Sequence, residues 1–215
     1  MNLRPPRLPV LPLLLALLAA PLPAGAGALT DLLMAPGVFA DAPLGSAVAY
    51  AEERAVPDGG TLDDVTAGVV RLEVREDAGK PELVLVKEEN GTPKPVGTFP
   101  AGVANPLLLY FLETTVRATA DATGGSPYYI RNRIREALVA TDLGTDVGDT
   151  ATPTREVTLV PFAEDPNRPK MGPFGDLTVR LRFDPDRPER ILELSADTAE
   201  GGEGYHEKMV LIAED

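Results

Sequence analysis

The sequence predicts an α+β protein: a curved antiparallel sheet or half-open barrel of about eight strands, with a helical hairpin packed on its concave face. Three observations support this fold class. Strand-like segments form two sets, about four before and four after residues 105–140. That central stretch has helical periodicity, while the short turns elsewhere favour antiparallel neighbours.

The central stretch contains two helix starts. Asn105-Pro106 and Ser126-Pro127 each place an N-cap residue before a proline, which suits the first helical position because its missing N–H would have no partner there. Between the two patterns lies Thr123-Gly124-Gly125, a turn sequence. Leu107–Leu112 is apolar on every side, so we expect the first helix to begin surrounded by protein. Residues 105–140 are therefore predicted to form a helical hairpin.

The first helix also carries charged residues at regular spacing. Glu113, Arg117 and Asp121 follow one another at i,i+4 positions on the face opposite the apolar stripe. We expect these three side chains to pair with each other on that face.

Four strands are predicted before the hairpin. In Gly68–Glu76, apolar and charged residues alternate, which indicates a half-buried strand, and Asp77-Ala78-Gly79-Lys80 is predicted to be a hairpin loop. The flanking prolines of Lys94–Phe99 favour an edge strand, because proline cannot donate to a neighbouring strand. The four segments are Ser46–Val56, Gly68–Glu76, Leu83–Val86 and Lys94–Phe99.

Four more strands are predicted after the hairpin, as a meander of antiparallel neighbours. Asp142–Thr154 is rich in Gly, Asp and Thr and is expected to be a loop. Ala163–Gly175 is a proline-rich connection for which two interpretations stay open, a functional loop and a rigid connector. The strand segments are Arg155–Phe162, Leu177–Phe183, Ile191–Ala196 and Tyr205–Ala213.

Residues 1–28 have the pattern of a cleaved signal peptide. Arg4 and Arg7 form a short basic region, Leu11–Leu22 is apolar, and small residues follow at the expected cleavage sites. The apolar part is too short and too rich in proline for a transmembrane span. Cleavage would leave 29–215 as a single domain with no stable membrane insertion, in the periplasm or outside the cell.

Composition excludes several classes of chemistry. The chain has no cysteine, so disulfides, zinc thiolate sites and cysteine nucleophiles are absent. Together with the style of the signal, this favours a bacterial exported protein over a eukaryotic secreted one. The net charge of −13 repels phosphate backbones, so nucleic acid is not an expected partner.

No catalytic, cofactor or metal motif is present. His206 is the single histidine, flanked by Glu207 and Lys208, and we expect a half-exposed strand residue there. Asp142, Asp146 and Asp149 lack the spacing of a calcium loop. We therefore predict no catalytic residue, no metal site and no cofactor. A carboxylate-dependent hydrolase stays open, although few aromatic residues are available to stack against sugars.

The candidate ligand-binding residues are Tyr128, Arg131 and Arg135, which lie along one flank of the second predicted helix. The two arginines form a like-charge i,i+4 pair that costs roughly 0.2–0.5 kcal/mol, so a partner outside the helix is expected. One interpretation is that the phenol and the guanidinium groups bind a carboxylate or phosphate ligand. The other is that Asp or Glu side chains of the same chain pair with them.

The expected function is that of a non-enzymatic binding or interaction protein. Its partner would be an apolar or amphipathic small molecule held between sheet and helices, or a protein. The alternative is an envelope-assembly protein with a filled core that acts through protein contacts.

Overall fold

The computed structural model describes residues 27–89, 91–148, 153–198 and 204–214. The predicted signal peptide therefore lies outside the described residues, except for Gly27 and Ala28. The helices are α1 (Ala28–Leu33), α2 (Pro106–Thr123) and α3 (Pro127–Ala140). The strands are β1 (Ala47–Ala55), β2 (Val65–Asp77), β3 (Lys80–Glu89), β4 (Thr92–Pro100), β5 (Thr145–Asp146), β6 (Arg155–Leu159), β7 (Thr178–Asp184), β8 (Arg187–Asp197) and β9 (His206–Glu214).

The fold class predicted from the sequence is confirmed. The nine strands form one curved, unclosed antiparallel sheet in the order β4-β3-β2-β1-β9-β8-β7-β6-β5, and the helical hairpin packs on its concave face. Four strands precede the hairpin, as predicted, but five follow it.

The first four strands form a meander. The β2–β3 turn is a two-residue loop in which Ala78 and Gly79 both have positive φ angles, 49° and 79°. Such a turn matches the right-handed twist of the strands on either side. β4 lies at the edge of the sheet, which confirms the position expected from its prolines.

The last strand joins the two halves of the chain. β9 pairs with β8 on one side and with β1 on the other, so the sheet runs without a break from β4 to β5. In this register Arg54 of β1 lies opposite Glu207 of β9. Side chains that are distant in the sequence thereby meet in the middle of the concave face.

β5 is a correction to the sequence analysis, which predicted a loop over Asp142–Thr154. Thr145 and Asp146 pair with β6, and Gly144 just before them has a φ of 75°. A Cβ atom on Gly144 would lie 2.0 Å from the carbonyl oxygen of Glu156. The pairing depends on this close backbone approach, and two residues are too short to show an alternating pattern.

α2 begins and ends as its sequence signals predict, whereas Ser126 occupies the N-cap position of α3 without a side-chain cap hydrogen bond. The side chain of Asn105 accepts a hydrogen bond from the Leu107 N–H at 3.0 Å, and Gly124 ends α2 with a φ of 64°. Leu107 and Phe111 are completely buried, which confirms that protein surrounds the start of this helix. α2 packs against β3 and β8, and α3 packs against β6. Among the described residues, no helix is both long and apolar enough to cross a membrane.

The proline-rich connection between β6 and β7 packs into the molecule. It contains two 3-10 helices, Arg168–Lys170 and Gly172–Asp176. Phe174 is buried and stacks on Tyr205, with the ring centroids 5.8 Å apart. Asp165, also buried, accepts a hydrogen bond from the Tyr129 hydroxyl of α3 at 2.7 Å. These contacts favour the interpretation of this segment as a rigid connector.

Candidate functional site

Arg131, one of the predicted ligand-binding residues, has a carboxylate partner within the hairpin. Its Nε lies 3.2 Å from Glu113 Oε2 and its Nη2 lies 3.1 Å from Glu113 Oε1, so the guanidinium of α3 forms a bidentate contact with the carboxylate of α2. Glu113 was expected on an outer face but is only 2% exposed, because α3 lies beside it. Arg117 approaches the same carboxylate at 3.7 Å, as its i,i+4 spacing predicts. Asp121 instead accepts hydrogen bonds from Thr61.

The other two predicted residues are placed differently. Tyr128 is 71% exposed, and Arg135 is half-buried. Neither side chain forms a hydrogen bond or ion pair with the part of the chain that the structure describes. The structure thus gives Arg131 an internal partner, and a ligand-binding role for the three residues stays a prediction.

A buried ionic cluster on the concave face was missed in the sequence analysis. It is built around Arg54, whose Nε donates to Glu207 Oε1 at 3.3 Å and whose Nη2 contacts Glu52. The Glu52 and Glu207 side chains are completely buried, and Arg54 is 6% exposed. Tyr50, Glu52 and Arg54 share one face of β1. The sequence signal was the strand alternation: Val48 and Tyr50 were predicted to share a face, and the same two-residue spacing places Glu52 and Arg54 on it as well.

Aromatic hydroxyls and a lysine complete the cluster. The Tyr110 hydroxyl of α2 donates to Glu52 Oε1 at 3.2 Å, and Tyr205 donates to Glu207. Lys87 Nζ of β3 lies 3.4 Å from Glu52 Oε2. The cluster therefore connects the sheet to the hairpin through polar contacts.

Gly68 makes room for this cluster. It lies opposite Glu52 in the β1–β2 register. A Cβ atom at this position would lie 2.8 Å from Val65 Cγ1 and 3.2 Å from Glu52 Oε2. A side chain here would crowd the buried carboxylate of Glu52. This steric conflict explains why a glycine occupies the position, although glycine is otherwise unfavourable within a strand.

Burial and charge set the ionisation of the cluster. Desolvation raises the pKa of Glu207 to about 7, although the Arg54 guanidinium acts to lower it. Burial also raises the pKa of the Tyr205 and Tyr110 hydroxyls, which therefore stay protonated as hydrogen-bond donors. Glu207 can hold a proton near neutral pH. Because both carboxylates are completely buried, their position does not support the carboxylate-dependent hydrolase, whose substrate would have to reach them.

A separate cleft of about 490 Å³ lies between segment 38–48 and strands β1 and β2. Its apolar lining, here called the floor, includes the half-buried Val48 and the buried Leu72 and Val74 of the sheet, and Phe39 contributes to the lining from segment 38–48. Polar side chains line the remaining part. They are Asp41, Ser46, Arg187, Glu189 and Glu214. The combination of apolar floor and polar rim is typical of small-molecule sites.

Two ion pairs stabilise one side of the rim. Arg187 Nε lies 3.3 Å from Asp184 Oδ2, and Arg190 Nε lies 2.9 Å from Glu214 Oε2. The hydroxyl of Tyr50, at the base of this region, donates to the carbonyl oxygen of Ile191 at 2.7 Å. These contacts hold the start of β8 against β1 and β9.

The described residues contain no group of three His, Asp or Glu side chains arranged to hold a metal ion. Asp149 of the aspartate-rich loop lies outside those residues, and Asp146 pairs with Arg155 at 2.8 Å. His206 is 41% exposed on the side chain, as expected, and its Nδ1 lies 2.5 Å from Asp197 Oδ1.

Comparison with known proteins gives no family. No protein-family model matches the sequence, and no curated protein matches it either. Among solved structures, the chain is similar to the lipoprotein LppX of Mycobacterium tuberculosis, with 12% sequence identity and a TM-score of 0.32. The match covers 94% of this chain and 95% of that one. At this identity and TM-score, the similarity carries no argument about function.

Proposed function

We propose that this protein is a non-enzymatic binding protein that holds a small amphipathic molecule in the cleft beside segment 38–48. The observation that supports this function is the cleft itself, which combines a volume of about 490 Å³ with an apolar floor and a polar rim. Small-molecule sites generally have volumes of roughly 300–1,000 Å³ and this kind of lining. The apolar part of the ligand would lie against the half-buried Val48, beside the buried Leu72 and Val74.

The proposed position differs from the one expected from the sequence, which was between sheet and helices. Leu85 of β3 and Phe111 of α2, a strand and a helix that pack against each other, are completely buried. No described residue that lines the cleft belongs to α2 or α3. We therefore place the ligand beside the hairpin and not beneath it.

We also propose export to the periplasm or the cell exterior. The support is the sequence pattern of residues 1–28, with its basic start and apolar centre. An exported binding protein would meet amphipathic molecules of the cell envelope.

Blocking the cleft tests the proposed function. Val48→Trp adds a large side chain at the half-buried floor, and we expect it to weaken binding of the neutral apolar dye N-phenyl-1-naphthylamine at least tenfold. Fluorescence titration measures the dissociation constant. The matched control is Val147→Trp, at a residue that is 45% exposed near β5, at the far edge of the sheet.

The outcome is decisive in either direction. Saturable binding that is lost in the Val48 variant and kept in the Val147 variant supports the cleft as the site. Equal affinity in both variants, or no saturable binding by the unmodified protein, contradicts the proposal. Circular dichroism of both variants checks that a lost signal is not caused by unfolding.

The second candidate function is an envelope-assembly protein that acts through protein contacts. The close packing between the hairpin and the sheet favours it, because a filled interface there supports a structural role. A pull-down from the periplasm, with no dye binding to the cleft, would favour this candidate over the first.

A further inference from the structure

We infer that the cleft selects amphiphiles with a positively charged polar end, such as alkyl ammonium compounds, over amphiphiles with an acidic one. This inference rests on the proposed function and adds the chemical class of the ligand. It follows from the charges that remain on the rim after its internal ion pairs are taken into account.

The rim has more carboxylates than cations. Glu214 is paired with Arg190 at 2.9 Å, with both of its oxygens engaged, and Arg187 is paired with Asp184 at 3.3 Å. The two positive and two negative charges of these four side chains cancel. Arg187 Nη2 also lies 3.9 Å from Glu214 Oε2, so an acidic head group at this arginine would lie close to two carboxylates.

Two rim carboxylates are left over. Asp41 and Glu189 line the cleft, and within the described residues neither carboxylate forms an ion pair or a hydrogen bond, although the backbone carbonyl of Glu189 accepts one from Asn105. Asp41 is exposed on segment 38–48, whereas Glu189 is half-buried on β8. Two separate elements therefore supply negative charge to the same opening.

A cationic head group complements this arrangement. With its apolar chain on the floor, its positive end would lie near the rim, where the two carboxylates attract it. An acidic head group would instead add a further negative charge beside them. The net charge of −13 over the whole chain acts in the same direction at long range.

Three ligands with the same dodecyl chain provide the test. Dodecyltrimethylammonium, dodecanoate and dodecyl maltoside are compared below their micelle concentrations by displacement of N-phenyl-1-naphthylamine. We expect the ammonium compound to bind at least about tenfold more tightly than dodecanoate, with the difference shrinking at high salt. The uncharged maltoside serves as the reference for binding of the dodecyl chain without a charged head group.

Charge-removing variants connect the preference to the rim. Asp41→Asn combined with Glu189→Gln is expected to abolish most of the preference for the ammonium compound over dodecanoate. The matched control is Asp58→Asn combined with Asp142→Asn, which removes two exposed carboxylates that do not line the cleft. This control changes the net charge by the same amount as the rim variant. It should keep the preference for the ammonium compound, because neither of its carboxylates lines the cleft.

The results separate the two proposals. If Val48→Trp weakens binding of all three ligands but dodecanoate binds as tightly as the ammonium compound, the charge inference is overturned and the binding function stands. A preference that survives in the Asp41 and Glu189 double variant also overturns the inference. If none of the ligands binds in a way that Val48→Trp prevents, both proposals fail.

Discussion

Glu207 is a carboxyl group that the fold removes from water. Its side chain on β9 is completely buried, with Arg54 of β1 and Tyr205 as hydrogen-bonding neighbours. The cost of desolvating the charged form exceeds the attraction of the single guanidinium, so the pKa rises from 4.5 to about 7. The protonation state of this one residue therefore affects the stability of the fold near neutral pH.

The pH dependence of stability follows from that shift. The folded chain binds the Glu207 proton more tightly than the unfolded chain, so its contribution to the free energy of unfolding is fully present below about pH 4.5 and is lost as pH rises to about 7. Glu207→Gln imitates the neutral form. We expect this variant to gain stability relative to the unmodified protein between pH 5 and 8, by up to about 3 kcal/mol.

Urea denaturation of both proteins at several pH values measures this difference. The comparison cancels the titration of all other groups, which is common to both proteins. Parallel stability profiles would show that Glu207 keeps the same pKa on unfolding and would contradict the prediction. Glu53→Gln, at an exposed residue on the other face of β1, is the matched control and should leave the profile unchanged.

At the scale of elements, the hairpin is held together by a charged contact as well as by its apolar stripe. Arg131 on α3 binds the carboxylate of Glu113 on α2, and the side chain of Glu113 is only 3% exposed. Helix spacing alone predicted the i,i+4 contact with Arg117, but the partner from the second helix depends on how the two helices pack. The like-charge pair on α3 is thus compensated at Arg131 by the neighbouring helix.

Replacing each arginine separately tests this interpretation. Arg131→Ala leaves a buried carboxylate with one distant partner, so we expect a loss of about 1–3 kcal/mol in the free energy of unfolding. Arg135→Ala should change stability by less than about 0.5 kcal/mol. Thermal unfolding measures both variants. A larger effect for Arg135 than for Arg131, or a phosphate-induced rise in melting temperature that both variants abolish, would favour the ligand-binding interpretation instead.

At the scale of the whole molecule, β9 makes one sheet from two meanders. The last strand pairs with the first, so every strand from β4 to β5 belongs to the same hydrogen-bonded sheet. Met209 on β9 is completely buried and belongs to the continuous apolar core. Because the halves share this strand and this core, we expect them to unfold together.

Met209→Ala tests this shared stability. The cavity should lower the free energy of unfolding by about 2–5 kcal/mol, while the protein still unfolds in a single transition. Tyrosine fluorescence and far-ultraviolet circular dichroism should give the same midpoint, before and after the substitution. Two separate transitions would show that the halves are independent and would contradict the prediction. Ile212→Ala, at an exposed residue of the same strand, is the control.

Much of the architecture could be predicted because it depends on local patterns. Alternation in β2 and β7, the N-cap and proline pairs of the hairpin, and the prolines of β4 each act over a few residues. β5 was missed because two paired residues leave no periodic pattern. Glu113 was placed on the wrong side because its burial depends on the second helix and not on its own.

The candidate sites were harder to predict than the fold. Residue type and helical spacing pointed to the hairpin, at Tyr128, Arg131 and Arg135. The buried cluster and the cleft instead combine residues from both ends of the chain, such as Arg54 with Glu207 and Asp41 with Glu189. No spacing rule connects such residues before the strand order is known.

Composition and local pattern were enough to predict the fold class, the helical hairpin, the edge position of β4 and the absence of cysteine chemistry, because each depends on residue content or on neighbours along the chain. The pairing of β9 with β1 became known from the three-dimensional structure. That pairing buries two carboxylates around Arg54 and contributes Glu214 to the rim of the cleft. The physical reason is that burial and ion pairing depend on which strands become neighbours in the sheet. Local sequence patterns do not show which residues far apart in the chain will be in contact.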